Sequence, residues 1–334
     1  MALINIIVAL VGVGAVALNS HPDFPPLTAS YFYESAEHGE ISARFFGTTT
    51  ILFNDGEDAI LIDGFFSRPD KNKILFGRLS PDKARLKKIV ECCIPSNLNS
   101  IFVAHAHHDH ALDAGFIAKL TGATIYGSRS ALIVANAVDN TELKSVLNAP
   151  LTNQEIIRNG SVYSSKNNKF KVIAIETPHS ASLLSQDSID PDFRFPAKIT
   201  DFRPGENYSF LIEHESAGIL FVTSANKLSD ALKGLKADIT ILSIGGIGTE
   251  TNEYTRVKLI EEYWNAAVKA TGAKVVVPVH WDDFTRPLGE TLVAFPYVID
   301  RVDRTFATIQ VLAKRDGVAI RFMPTNKVVK LAPQ

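Results

Sequence analysis

Cysteine is almost missing from this chain. The only two, Cys92 and Cys93, are neighbours. Adjacent residues rarely bridge one another, so no internal disulfide is expected and the pair reads as two small apolar side chains on a helix. Neither belongs to the histidine-rich motif described below, which argues against a thiolate zinc site. An excess of basic charge is missing too. The 34 Lys and Arg face 36 Asp and Glu, leaving a net charge of -2, so no cationic field points to nucleic acid. There is no low-complexity tract and no short-period repeat. With 46% hydrophobic residues in 334, the chain can close a full core without staples. That length allows one large domain or two smaller ones.

Charged side chains are absent from the first eighteen residues, where only the α-amino group is positive. Met1 to Leu18 carries one polar side chain, Asn5, and ends on Ala15-Val16-Ala17 before the polar Asn19-Ser20-His21-Pro22. An apolar run followed by small residues at this spacing reads as a signal peptide cleaved near Ala17 or as an uncleaved anchor, although Lys and Arg are missing from its start. As a helix it would span about 27 Å, slightly short of a bilayer core. Export to the periplasm or medium, or membrane association through residues 1–18, is the expectation. The alternative is a buried first strand or helix of a cytoplasmic protein. No other stretch is long enough to cross a membrane.

What is present past residue 40 is a mixed α/β pattern. Ile41 to Phe46, Thr49 to Phe53 and Ala59 to Asp63 read as strands, with Asn54-Asp55-Gly56 as a hairpin turn. Pro81 to Cys93 has helical character, and Ser100 to Ala104 is a buried strand. Asp109 to Leu120 reads as a helix with Asp109 as N-cap and Gly122 near its end. Ala123 to Tyr126 reads as a strand and Ser128 to Val138 as a helix. The second half repeats the grammar. Lys171 to Glu176, Tyr208 to Glu213, Gly218 to Thr223, Asp238 to Leu242, Ala273 to Val279 and Val318 to Phe322 read as strands. Leu228 to Leu235, Tyr254 to Ala270 and Pro296 to Lys314 read as helices. Hairpins followed by alternating strands and helices point to two sheets with helices outside, a layered α/β sandwich. Phe65 to Leu79 and Ser185 to Gly205 read as long loops of the kind that serve as lids or binding loops.

Histidine is the residue with an unusual distribution. Four of the nine fall within six residues, in His105-Ala106-His107-His108-Asp109-His110. Neutral imidazole and carboxylate are ligands for zinc in a compact shell of about four donors. In extended backbone His105 and His107 point the same way. A helical turn at Asp109 then re-aims Asp109 and His110 toward a neighbouring point, so the run can serve two ions. His179 and His280 each follow an apolar strand, Asp63 ends Ile60-Leu61-Ile62, and Ser224 ends Ile219 to Thr223. Polar side chains at the outgoing ends of hydrophobic strands gather on one edge, where α/β proteins place their sites.

These motifs, with Gly47 to Ile51 and His280-Trp281-Asp282-Asp283-Phe284-Thr285-Arg286, resemble the metallo-β-lactamase superfamily over about Ile41 to Phe322. The likeness is nearer to the L-ascorbate-6-phosphate lactonase-like and phospholipase-D-like members than to antibiotic-resistance enzymes. It implies a four-layer αββα sandwich of two mixed β-sheets, with residues 19–334 forming a single hydrolase domain. It also implies one or two divalent ions, Zn2+ first, with Mn2+ or Fe2+ as alternatives. His105, His107 and His179 would take one ion, and Asp109, His110 and His280 the other, with Asp63 holding the histidine loop through hydrogen bonds. One departure stands out: most hydrolases of the superfamily have a bridging Asp where this chain has Ser224. A weaker second site is expected, and whether Ser224 or Asn226 touches metal stays open.

By the same resemblance, a metal-bound hydroxide oriented by Asp109 would cleave a small ester, lactone or phosphodiester. The alternatives are a β-lactam hydrolase and a catalytically silent metal-binding module. Phe65, Arg68, Arg194, Trp281 and Arg286 are the candidate contacts for a small-molecule substrate. His108 is expected to pack beside the site, and His21, His38 and His214 to be exposed and without a role.

Overall fold

The structure, a computed structural model, describes residues 17–137, 151–180, 187–228 and 230–333. The apolar segment read as a signal or anchor lies outside the described residues up to residue 16, as do 185–186 of the second long loop. No helix among the described residues is long and apolar enough to cross a membrane.

Short runs of buried residues make the strands. The first sheet contains β1 (Ser42–Phe45), β2 (Ile51–Asn54), β3 (Ala59–Ile62), β4 (Leu98–Val103), β5 (Thr124–Gly127) and β6 (Gln154–Ile156). The second contains β7 (Val162–Ser164), β8 (Lys171–Glu176), β9 (Tyr208–His214), β10 (Ala217–Val222), β11 (Ile239–Ser243), β12 (Val275–Val279) and β13 (Ala319–Ile320). The last strand, β14 (Val328–Lys330), returns to the outer side of β1. The sheet orders are β14-β1-β2-β3-β4-β5-β6 and β13-β12-β11-β10-β9-β8-β7. Each sheet is antiparallel on one side and parallel on the other, with β3-β4-β5-β6 and β10-β11-β12-β13 as the parallel stretches.

The period-2 alternation of strands sorts the core into layers. Ile60, Ile62 and Phe102 face the second sheet and join Phe210, Ile212 and Phe221. Leu61, Ile101 and Val103, one residue out of phase, face outward and are covered by Leu86, Ile117 and Val134. Those covering residues come from α2 (Lys83–Cys93), α4 (Ala114–Thr121) and α5 (Arg129–Asn136); α1 (Lys71–Phe76) and the single turn α3 (His108–Ala111) complete the helices of this half. On the far side, Ile260, Tyr263 and Trp264 of α6 (Glu253–Trp264) and Phe306 and Ile309 of α7 (Val302–Asp316) cover the second sheet. The four layers are therefore helix, sheet, sheet, helix.

Several expectations change. Residues 109–120 form two helices, and His107, not Asp109, occupies the first N-cap position; Asp109 lies inside the turn, which turns its carboxylate toward the histidines. Leu228 to Leu235 forms turns, not a regular helix, among the described residues; Leu228 and Leu232 are buried without it. Cys92 and Cys93 are joined by a disulfide, against expectation. They are the last two residues of α2, half-buried or exposed, and Ile94 is already extended, so their sulfurs are free to meet. His214 is not a free surface group: its ring lies 4.9 Å from Phe170, with Asp55 and Ser216 on its two nitrogens. The loop 65–79 contains α1, whose start is capped by Asp70 accepting from the Asn72 and Lys73 N–H groups. It is also fastened to the second long loop, because Leu79 and Ala197 exchange both main-chain hydrogen bonds at 2.6 and 2.9 Å.

Candidate metal centre

The site stands where strands stop. Asp63 follows β3, His105 follows β4 by two residues, His179 follows β8, Ser224 follows β10, and His280 directly follows β12. The turn α3 then lifts Asp109 and His110 to the same edge. Four non-glycine residues here have left-handed backbone: Thr48 (φ 53°), Asp63 (56°), Arg68 (42°) and His280 (57°). Such conformations cost about 1–3 kcal/mol each and persist only where surrounding structure imposes them.

Two ligand groups result. In one, His105 Nε2 lies 3.2 Å from His107 Nδ1 and 3.1 Å from His179 Nε2. In the other, Asp109 Oδ2 lies 3.2 Å from His280 Nε2 and 3.5 Å from His110 Nε2. Within each trio the ligand atoms lie within 4.8 Å of one another. The groups adjoin, since the His105 and His110 rings are 3.9 Å apart.

Protonation states in the first group suit a cation. Burial, reinforced by the neighbouring imidazoles, holds His105 and His107 well below the usual histidine range, and burial pushes His179 down to about 4. These rings are neutral at neutral pH, the form that ligates metal. Burial would raise Asp109, but His110, His280 and His108 outweigh it and hold the carboxyl well below its usual range. Burial would lower His110, but Asp63 and Asp109 outweigh it and raise it.

Hydrogen bonds fix which nitrogen two of the rings turn inward. His179 Nδ1 donates to the Ser180 carbonyl at 2.8 Å, and His110 Nδ1 lies 2.8 Å from Asp63 Oδ2; each leaves Nε2 for the centre. Asp63 is saturated: Oδ1 accepts from the Ala104 N–H at 2.8 Å, and Oδ2 also accepts from the Thr49 hydroxyl at 2.6 Å. Ser224 accepts from the Ser180 N–H at 2.9 Å, and Asn226 donates to the His179 carbonyl. Both steady the His179 segment. Three converging nitrogens in one group, and two nitrogens with a carboxylate oxygen in the other, fit a divalent ion at each.

Sequence reasoning gave Asp282 no role. It is paired with Arg68 at 2.8 Å, both side chains fully buried, and its other oxygen accepts from the Thr48 N–H at 2.7 Å. Thr48 in turn accepts from the His280 N–H at 2.8 Å. Gly47 is required here, since a Cβ would meet Arg68 Nη2 at 1.9 Å. Asp113 was missed as well; it accepts from the Phe66 and Ser67 N–H groups and from the Ser67 hydroxyl, seating the start of the 65–79 loop.

The proposed substrate contacts are scattered. Arg68 is spent on Asp282. Phe65 is buried, its ring 5.8 Å from His108. Trp281 is buried against Phe24 at 5.1 Å and donates to the Pro278 carbonyl. Arg286 pairs with Glu290 at 3.3 Å, and Arg194 bonds the Phe193 carbonyl beside an apolar groove containing Leu132 and Ile133. None of the five is among the ligand groups. His108 is beside them, buried in a cage of Phe65, Phe202 and Phe284, its Nδ1 3.7 Å from Asp109.

Residues 58–281 match the family described as the β-lactamase superfamily domain. No curated protein matches the sequence. Among solved structures, a novel metallo hydrolase, Igni18, from the archaeon Ignicoccus hospitalis is similar, with 15% identity, a TM-score of 0.51, and coverage of 87% of this chain and 98% of that one. Yeast PDE1 is similar at 9% identity and a TM-score of 0.50, with coverage of 87% and 99%. A mutant of the β-hydroxylase CmlA is similar at 12% identity and a TM-score of 0.52; the match covers 89% of this chain and 55% of that one. CmlA is a diiron enzyme from Streptomyces venezuelae. With two-thirds of its length matched and its ligands on one sheet edge, the chain belongs to the β-lactamase superfamily and carries the metallo-β-lactamase fold of its metal-dependent hydrolases.

Proposed function

We propose that this protein hydrolyses a small ester, lactone or phosphodiester with zinc ions held by His105, His107 and His179 and by Asp109, His110 and His280. The observation that carries the reading is the pair of adjoining ligand trios, each converging within 4.8 Å. Bound divalent ions there supply water acidified from a pKa of 15.7 to about 7 and polarise the substrate oxygen. The chain's own residues do the rest. Asp109, ionised and between His110 and His280, accepts a hydrogen bond from the attacking water and orients it. Asp63 and Thr49 keep His110 in one tautomer. Ser224 in place of a bridging acid leaves the second trio with less negative charge, which supports weaker binding of its ion.

A chromogenic panel of phosphodiester, lactone, carboxylic ester and β-lactam, assayed on zinc-loaded protein, tests this. One member should turn over, and Asp109→Asn should lower its rate by about 10²-fold or more while the metal content of the first trio is kept. Wild-type turnover in that variant would remove Asp109 from the reaction. Turnover of none of the first three would remove the substrate class.

A further inference from the structure

The disulfide of Cys92 and Cys93 has a cation beside it. Arg44 stands in β1, between its partners Leu52 of β2 and Val328 of β14. Its Nη2 donates to Cys93 Sγ at 3.3 Å. Half-buried, Arg44 pairs with no carboxylate among the described residues. Its Nε is buried without a partner, and its Cζ lies 5.2 Å from the centre of the Phe46 ring. Burial pulls it below the usual arginine range, with no neighbouring anion to oppose this. A disulfide sulfur is uncharged and a weak acceptor, so it stabilises a half-buried cation poorly. A thiolate in the same position would complete an ion pair. The two sulfurs also differ in access. Cys92 is exposed and Cys93 half-buried, and both line a pocket of about 230 Å³ with Ser42, Arg44 and Val328.

We propose that Cys92–Cys93 is a thiol-exchange site: a low-molecular-weight thiol attacks Cys92 Sγ, and Cys93 leaves as a thiolate facing Arg44. The small thiolate bonds to Cys92 Sγ, the bond between the two cysteines breaks, and its electron pair stays on Cys93. A second small thiolate attacks the outer sulfur of that mixed disulfide. It releases the small disulfide and Cys92 as a thiolate, which takes up a proton. Two small thiols are thereby oxidised and the protein disulfide reduced. A leaving thiol of lower pKa departs faster. Cys93 ends α2, where the helix dipole is negative and disfavours an anion, and Glu91 on the same pocket adds to that. Arg44 offsets both at Cys93, which selects it over Cys92 as the leaving sulfur. Ile94 to Asn97 lead from this pair into the start of β4, whereas the histidine run follows the end of β4. Exchange therefore takes place at the edge opposite the ligand trios.

Full-length wild-type protein supplies the first test. After air oxidation and unfolding in urea, iodoacetamide should label neither cysteine. A brief pulse of 2-mercaptoethanol on the folded protein, quenched with acid and mapped by tandem mass spectrometry, should leave the mixed disulfide on Cys92, not on Cys93. In reduced protein at neutral pH, Arg44→Met should slow alkylation of Cys93 about tenfold or more, with a smaller change at Cys92, and Arg44→Lys should restore part of the rate. Cysteines labelled in the oxidised protein, a mixed disulfide on Cys93 or equally on both, or Cys93 of Arg44→Met alkylated at the wild-type rate would each overturn the proposal. The mapping on wild-type protein decides the matter even where Arg44→Met fails to fold.

Discussion

Asp63 does its work without being a ligand. Its two oxygens accept from Ala104 N–H, the Thr49 hydroxyl and His110 Nδ1, so one carboxylate sets the register of the histidine loop and the tautomer of a ligand. Asp63→Asn keeps the shape but offers an amide where two acceptor sites are needed. Affinity of the second trio should fall about 10–100-fold, read by zinc titration; an unchanged isotherm would show that His110 orients itself. A pH effect belongs at this scale as well. In metal-free protein His179 sits at about 4 because it is buried, whereas an unfolded histidine titrates near 6.5. Between those values the unfolded chain binds a proton that the folded chain refuses, so stability is lost as pH falls from about 6.5 toward 4.

At the scale of elements, the Arg68–Asp282 pair ties the β1–β2 loop, through Thr48, to the loop that carries His280. Removing one partner strands the other in an interior closed to water. Arg68→Met should cost about 3–5 kcal/mol in urea unfolding, and Arg68→Met with Asp282→Leu should recover part of that. A cost below about 0.5 kcal/mol, as on a surface, would show that the pair is dispensable. This tie is where sequence reading ends: its partners lie 214 residues apart, and neither an apolar period nor a spacing marks them. Strands β3, β4, β8 and β12 were legible because each is a short apolar run closed by a polar residue, and the ligands could be read from those same ends. β6 was not, since Gln154, Glu155 and Ile156 are all exposed and owe their strand to pairing with β5. Leu228 to Leu235 misled because leucines recur at helical spacing, yet Gly234 turns the chain with φ 83°. The disulfide of Cys92 and Cys93 was hidden because it depends on α2 ending there.

Across the whole molecule, each trio draws on both sheets. His105, His107, Asp109 and His110 follow the first sheet's β4, whereas His179 and His280 follow strands of the second. Ions bound there would fasten the two halves of the sandwich at one edge. Zinc at about one hundred times its dissociation constant should add about 2.7 kcal/mol to stability, seen as a rise in melting temperature that a chelator reverses. Identical melting curves with zinc and with chelator would mean the edge is not cross-linked by metal. The Leu79–Ala197 exchange has its own outcome at this scale. Since each residue is both donor and acceptor to the other, stretches 65–79 and 187–205 are laced into one strap. A cut in either stretch should therefore leave its end still paired across Leu79 and Ala197, so a nicked chain should run as one species until it is unfolded.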